Sequence, residues 1–164
     1  MEKINSLTGM TDLIETKADE NVLANKVFQT EKILKEIFTN YAMSEIRTPA
    51  LENTNLFKRS VGDTSDIVNK ELYTFSDKND KSITLRPEGT ASVMRSIIEK
   101  KLDGETHKLW YLGPMWRYER PQKGRYRQFN QAGIEILGYS EGAPEFEMIS
   151  LICELNRKLQ IRKP

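Results

Sequence analysis

The segment 110–135, WYLGPMWRYERPQKGRYRQFNQAGIE, constrains the fold more than any other part of the chain. Residues 108–118 are mostly aromatic and aliphatic, which is typical of a largely buried strand. Residues 126–137 alternate enough to pair with that strand, and Pro121 and Gly124 indicate a turn between the two. The sequence therefore predicts a β-hairpin in this part of the chain.

The loop of this hairpin carries a concentration of positive charge. From residue 116 to residue 127 there are five basic residues and one acid, Glu119, whereas the whole chain has a formal net charge of +1. The basic residues are Arg117, Arg120, Lys123, Arg125 and Arg127. Such a cluster on a nearly neutral chain favours a bound polyanion.

Alternation along the strands groups polar side chains on one face of the hairpin. Arg117 and Glu119 share a face of the first strand. The residues that share a face of the second strand are Phe129, Gln131, Gly133 and Glu135. Such a face suits a ligand with phosphate and amine groups better than it suits a core. The alternative is an exposed face whose charges pair with one another, which is the commoner arrangement in hairpins.

Three runs of residues resemble one family. The run GPMWRYERPQKGRYRQFNQAGIE resembles motif 2 of the class II aminoacyl-tRNA synthetases, and specifically that of the histidyl-tRNA synthetases. The run TLRPEGT, residues 84–90, resembles another segment of that family, and SEIRTP, residues 44–49, resembles its motif 1. The resemblance covers essentially the whole chain, and the motifs together are highly specific.

The resemblance implies an α+β fold, with a class II synthetase-like antiparallel sheet flanked by helices. We find no motif 3, no LDYYTG-type motif and no anticodon-binding domain in the sequence. We therefore expect residues 1–164 to be the N-terminal part of a catalytic domain that holds motifs 1 and 2 only. By itself the chain is expected to bind ATP weakly and not to aminoacylate tRNA.

The spacing of apolar and turn-forming residues predicts the remaining elements. The predicted helices are 19–41, 55–61, 90–101 and one that starts at Pro144. The predicted strands outside the hairpin are 45–48, 71–75 and 82–85, with a polar loop at 62–69. Cys153, the only cysteine, is expected to be buried in the last helix, and a single cysteine excludes a cysteine-cluster metal site.

The resemblance implies that four residues bind ATP. Arg117 would bind the α-phosphate and act as the catalytic residue, and Arg125 would reach the γ-phosphate. Phe129 would stack on the adenine, and Glu119 would orient the adenine amino group.

Four further residues would bind histidine according to the same resemblance. Glu88, Thr90 and Gln131 would accept hydrogen bonds from the α-amino group, and Glu135 would accept a proton of the imidazole. From the residues alone, the favoured role of Glu88 and Thr90 is instead to cap the helix that begins there.

The implied function is that of a histidine–tRNA ligase, which activates histidine with ATP to histidyl-adenylate and transfers it to tRNA-His. The implied partners are histidine, ATP with Mg²⁺, tRNA-His and a second copy of the chain bound through motif 1, with no metal site of the protein and no prosthetic group. The polar start and the short apolar runs are typical of a cytoplasmic protein without a membrane span.

Two other functions stay open. One is the synthetase-like regulatory subunit of histidine biosynthesis, and the intact TLRPEGT and ERPQKGRYRQF runs argue against it. The other is a non-catalytic dimerisation or RNA-binding module. A net charge near zero disfavours a general RNA binder, because phosphate contacts need a surplus of basic residues.

Overall fold

The computed structural model describes residues 3–15, 22–62, 65, 67–120, 122–140 and 142–161, which form an α+β fold. The helices are α1 (Val22–Asn40), α2 (Thr54–Val61), α3 (Thr90–Glu99) and α4 (Ala143–Lys158), with a π-helical turn at Ile67–Glu71. The strands are β1 (Ser44–Glu45), β2 (Leu51–Asn53), β3 (Thr74–Ser76), β4 (Ser82–Leu85), β5 (His107–Trp116) and β6 (Gln128–Leu137).

The chain divides into two compact units. The first contains Met1–Asp12, Arg47–Leu102 and Tyr111–Gly133. The second contains Leu13–Ile46, Asp103–Trp110 and Ile134–Pro164. Each of the two long strands, β5 and β6, contributes residues to both units.

The first unit is built on the antiparallel sheet β2-β4-β3, in which β4 is the central strand. Thr84 of β4 is fully buried, and its hydroxyl lies 2.8 Å from that of Thr54 and 3.0 Å from that of Thr74. Helix α2 packs on α3, and Phe57 and Val93 are fully buried. The threonine hydroxyls satisfy one another, so this sheet buries polar groups without an unpaired hydroxyl among them.

Strands β5 and β6 are hydrogen-bonded neighbours that form the predicted hairpin. The backbone N–H of Arg117 donates to the carbonyl of Arg127 at 3.0 Å, and the ring of Tyr111 lies against Gly133. Arg117 lies opposite Arg127, whereas Tyr111, earlier in β5, lies opposite the later residue Gly133. The two strands therefore run antiparallel. Gly124, at φ 84°, lies in the turn between them, and Pro121 lies outside the described residues.

The second unit packs α1 against α4. The ring of Phe38 stacks on that of Trp110 with 5.2 Å between the centroids, and both residues are buried. Strand β1 pairs with β5 in parallel, so the sheet β1-β5-β6 is mixed rather than purely antiparallel. Lys158 lies 2.7 Å from the Glu36 carboxylate and lowers its pKa through their hydrogen bond.

Some local predictions are wrong. Cys153 is exposed, because α4 turns Leu151 inward and a residue two positions later lies on the opposite side of a helix. The predicted loop 62–69 overlaps the π-helical turn, the strand expected from residue 71 begins only at Thr74, and β2 was not predicted. The first predicted helix is present as α1, and its expected start at residue 19 lies outside the described residues.

The part of the chain that the structure describes contains no helix with the length and apolarity that a bilayer crossing requires.

Candidate active site

A cavity of about 410 Å³ in the first unit brings together the four residues predicted to bind ATP. It is lined by Glu71, Arg117, Glu119, Gly124, Arg125 and Phe129. Its volume lies within the range of small-molecule sites. Two cations and two carboxylates face it, so a ligand there meets donors and acceptors together.

Among the described residues, Arg117 has a hydrogen-bond partner at one of its side-chain nitrogens only. Its Nε donates to the Pro87 carbonyl at 3.0 Å, and its guanidinium carbon lies 5.1 Å from the centre of the Phe129 ring. A guanidinium has five N–H donors and this contact uses one, so the other four have no hydrogen-bond partner among the described residues. The two terminal nitrogens can therefore donate to an oxyanion as a fork.

Arg125 and Glu119 form a loose ion pair across the cavity. The guanidinium lies 3.6 Å from the carboxylate, and the Arg125 side chain is 63% exposed whereas that of Glu119 is 16% exposed. A pair at this distance with one exposed partner contributes little to stability. Arg125 can therefore leave Glu119 for a phosphate at small cost in free energy.

Arg127 has a structural role instead. Its Nε donates to the Glu119 carbonyl at 3.1 Å, and its guanidinium lies 4.0 Å over the Tyr118 ring. These contacts fix the backbone where β5 ends. Arg120 and Lys123, the other members of the basic cluster, are exposed and do not line the cavity.

Glu71 lines the cavity and was not predicted. It ends the π-helical turn, and its carbonyl accepts a hydrogen bond from the backbone N–H of Tyr118 at 2.6 Å. The bond ties the turn to the end of β5 and so places Glu71 at the cavity. In the sequence, Glu71 follows Lys70 and opens a presumed strand, which gives no signal of a cavity residue.

Glu88 and Thr90 lie elsewhere, at the start of α3. The two carboxylate oxygens of Glu88 accept the backbone N–H groups of Thr90 at 2.6 Å and Ala91 at 2.9 Å. Glu88 lies one residue before the N-cap Gly89, and its side chain caps α3 by satisfying the first two N–H groups of the helix, as its position in the sequence favours. Both residues line a second cavity, of about 1100 Å³, beside α2 and α3. The two predicted sets of residues therefore do not share one cavity.

Gln131 is half-buried in β6 and lines neither cavity. Its side-chain oxygen is buried and has no hydrogen-bond partner among the described residues. Leaving a buried carbonyl unpaired is unfavourable, so this atom marks a place for a donor. Glu135 is half-buried in the portion of β6 that belongs to the second unit. The prediction that Glu135 lies on the same face of the hairpin as Arg117 stays a prediction.

Tyr111 links the start of α3 to β6. Its ring and hydroxyl occupy the space that a Cβ would need at Gly89, which follows Glu88, and at Gly133, two residues after Gln131. Only glycine fits at both positions while the buried ring stays in place. The wedge sets how closely the helix start and the strand approach each other.

This architecture occurs in solved structures. The crystal structure of apo histidyl-tRNA synthetase from S. aureus matches with a TM-score of 0.75 at 38% identity, over 95% of this chain and 35% of that one. A structure titled ATP phosphoribosyltransferase regulatory subunit/histidyl-tRNA synthetase, from Bacillus halodurans C, matches with a TM-score of 0.77 over 99% of this chain and 40% of that one, at 21% identity. The fold is therefore of the class II aminoacyl-tRNA synthetase type.

Sequence comparison narrows this class to one family. The family model described as Histidyl-tRNA synthetase matches residues 20–164. A histidine–tRNA ligase from Desulfitobacterium hafniense is 54% identical over 134 residues, which are 80% of this chain and 32% of that protein. The chain belongs to the histidyl-tRNA synthetase family, as its motifs predict, and spans about a third of the length of this relative.

Proposed function

We propose that this chain supplies the ATP-binding hairpin and part of the histidine site of a histidine–tRNA ligase. Such an enzyme activates histidine with ATP to histidyl-adenylate and then transfers the histidyl group to tRNA-His. The observation that carries the proposal is the guanidinium of Arg117, which lines a cavity beside Phe129 and has four N–H donors without a partner in the described part of the chain.

In this reaction the histidine carboxylate attacks the α-phosphate, so negative charge accumulates on the phosphate oxygens. Arg117 is the catalytic residue, because its fork of N–H groups donates to these oxygens as their charge grows. Its hydrogen bond to Pro87 and its position over Phe129 fix the fork before the substrate arrives. Such preorganisation makes the contact stronger in the transition state than in the ground state.

The other cavity residues position the nucleotide. The Phe129 ring stacks on the adenine, Glu119 accepts its amino group, and exposed Arg125 closes on the γ-phosphate. ATP enters as a substrate with Mg²⁺, and the cavity carboxylate of Glu71 is an oxygen ligand of the kind that Mg²⁺ takes. The ion supplies charge neutralisation on the phosphates.

Histidine binds next to this cavity through acceptors for its ammonium group. The unpaired oxygen of Gln131 supports this assignment. Glu88 can take part although it caps α3, because each of its oxygens accepts one hydrogen bond and retains a lone pair. Thr90 completes the ammonium site.

We assign residues 1–164 to the N-terminal part of the catalytic domain of a cytoplasmic enzyme that pairs with a second copy through β1 and its surroundings. The Bacillus halodurans protein shares the fold at 21% identity, so it does not favour a regulatory function for this chain.

The test uses a chimera that joins this chain to the part of the Desulfitobacterium hafniense ligase that it does not cover. In ATP–pyrophosphate exchange, Arg117→Ala should lower the rate of adenylate formation by roughly 10²–10³-fold, or about 3–4 kcal/mol, with little change in the KM for histidine. Arg117→Lys should not restore the rate, because an ammonium lacks the two-pronged geometry.

The matched control is Arg157→Ala, which removes an exposed arginine of α4 in the other unit and should leave exchange unchanged. Exchange at the wild-type rate in the Arg117→Ala chimera would show that Arg117 does not bind the reacting phosphate.

A further inference from the structure

Arg86 is a half-buried cation that joins three segments of the first unit. Its Nε donates to the Pro114 carbonyl at 3.2 Å, and its Nη1 donates to the carbonyl and the hydroxyl of Thr48, both at 2.8 Å. Its backbone N–H donates to Ala50 at 2.9 Å, and its carbonyl accepts the N–H of Trp116 at 3.1 Å. These bonds connect the segment after β1, the residue after β4 and the end of β5.

The surroundings of Arg86 fit a guanidinium, and the carboxylate of Glu52 acts on its charge electrostatically. Its side-chain hydrogen bonds to the described residues end on neutral oxygens, and burial lowers its pKa by more than the nearby Glu52 carboxylate raises it. A Cβ at Gly113 would lie 3.0 Å from Nη2, so the glycine leaves the room that the guanidinium needs. A partly buried charge with neutral partners is a weak source of stability. The main contribution of Arg86 is therefore the fixed geometry of the segments that it connects, rather than stability.

Arg86 and one residue that it contacts are neighbours in sequence of the two residues in the Arg117–Pro87 hydrogen bond. Pro87 follows Arg86 directly, and its carbonyl accepts the Nε–H of Arg117 at 3.0 Å. Trp116, which donates to the Arg86 carbonyl, directly precedes Arg117. Each partner of the Arg117–Pro87 bond is therefore adjacent in sequence to Arg86 or to a residue that Arg86 contacts.

We propose that Arg86 is the positioning residue for Arg117. It fixes the Pro87 carbonyl and the end of β5, and thereby aims the unpaired N–H donors of Arg117 into the cavity. The expected effect of Arg86 on ATP binding rests on the proposed function, whereas the expected effect of Arg86 on the position of the Arg117 side chain does not. A misplacement of about 1 Å in such a group can lower a rate about 100-fold, so an anchor outside the cavity matters for the chemistry.

The first test observes the Arg117 side chain without any ligand. In nitrogen–proton NMR spectra of the 164-residue chain, Arg86→Gln should shift the Arg117 Nε–H signal and speed its exchange with water. Thr48→Val, which removes one acceptor and keeps Arg86, should produce a smaller shift in the same direction. Arg157→Gln should produce none.

An unchanged Arg117 Nε–H signal in folded Arg86→Gln would overturn the proposal. If that variant fails to fold, Thr48→Val decides by the same criterion, because it leaves the Arg86 guanidinium and its other acceptors in place.

The second test is a double-mutant cycle on ATP affinity, measured by NMR titration of the same chain. Arg86→Gln should weaken ATP binding about tenfold in the wild-type background and less than about twofold when Arg117 is already alanine. Arg86→Lys should retain folding but not full affinity, because the ammonium cannot bridge Thr48 and Pro114.

If Arg86→Gln weakened ATP binding equally with Arg117 present and with Arg117→Ala, Arg86 would act on the fold as a whole. That result would overturn the positioning role. If Arg117→Ala alone binds ATP as well as the wild type, the proposed function fails instead, and the ligand-free signal of Arg117 still decides the role of Arg86.

Discussion

The Arg117 cavity and the start of α3 use their charged groups in opposite ways. At Arg117 the fold uses one N–H donor and leaves four without a partner among the described residues. At Glu88 both carboxylate oxygens already accept backbone N–H groups of α3. The first arrangement holds a charged group ready for a ligand, whereas the second stabilises a helix and has only its remaining lone pairs to offer. Charged residues of two motifs of one family thus differ in their freedom to bind a ligand.

Among the variants that test this comparison by stability, Gly133→Ala is expected to change the free energy of unfolding most. Gly133→Ala places a Cβ in the space of the Tyr111 ring, which also lies against Gly89 beside Glu88. Overpacking of this kind should lower the free energy of unfolding by about 1–3 kcal/mol, measured in urea. The amide signals of residues 88–91 should shift with it, because Tyr111 joins the two elements.

The matched control for that variant is Gly104→Ala, since no atom of the described residues lies within 4 Å of a Cβ built at Gly104. It should unfold at nearly the same urea concentration as the wild type. A Gly133→Ala chain as stable as the control would show that the Tyr111 ring is not a fixed wedge.

A smaller effect is expected from Glu88→Ala, which removes the cap of α3. The free energy of unfolding should fall by about 1 kcal/mol, and Glu88→Gln, which keeps one acceptor oxygen, should lose less. ATP affinity should stay unchanged, because Glu88 does not line the Arg117 cavity. If Glu88→Ala weakened ATP binding as much as Arg117→Ala does, the two regions would not be independent.

Patterns within short segments were sufficient to predict much of this fold. The three- and four-residue spacing of apolar side chains predicted α1 and α4, and the polar turn between two strand-like runs predicted the pairing of β3 with β4. The glycine and the alternation around the basic loop predicted the hairpin of β5 and β6. The acceptor at Glu88 was correctly favoured as a helix cap from its position alone.

The missed features depend on contacts between distant residues. Strand β2 has only three residues, and its pairing with β4 is what makes it a strand. Glu71 reaches the cavity because its carbonyl is tied to Tyr118, and Cys153 is exposed because α4 turns Leu151 inward. Arg86 stood within a quoted motif, yet its link to Thr48 and Pro114 spans 38 and 28 residues. No local pattern reports such a contact.

The central claim is that the unpaired N–H donors of Arg117 bind a phosphate of ATP. A crystal structure of the chain with ATP tests this most directly. We expect a phosphate oxygen within about 3 Å of the Arg117 terminal nitrogens, with the adenine on the Phe129 ring and the Nε bond to Pro87 retained. A nucleotide whose phosphates bind the exposed Arg120 and Lys123, with Arg117 in its ligand-free contacts, would contradict the account.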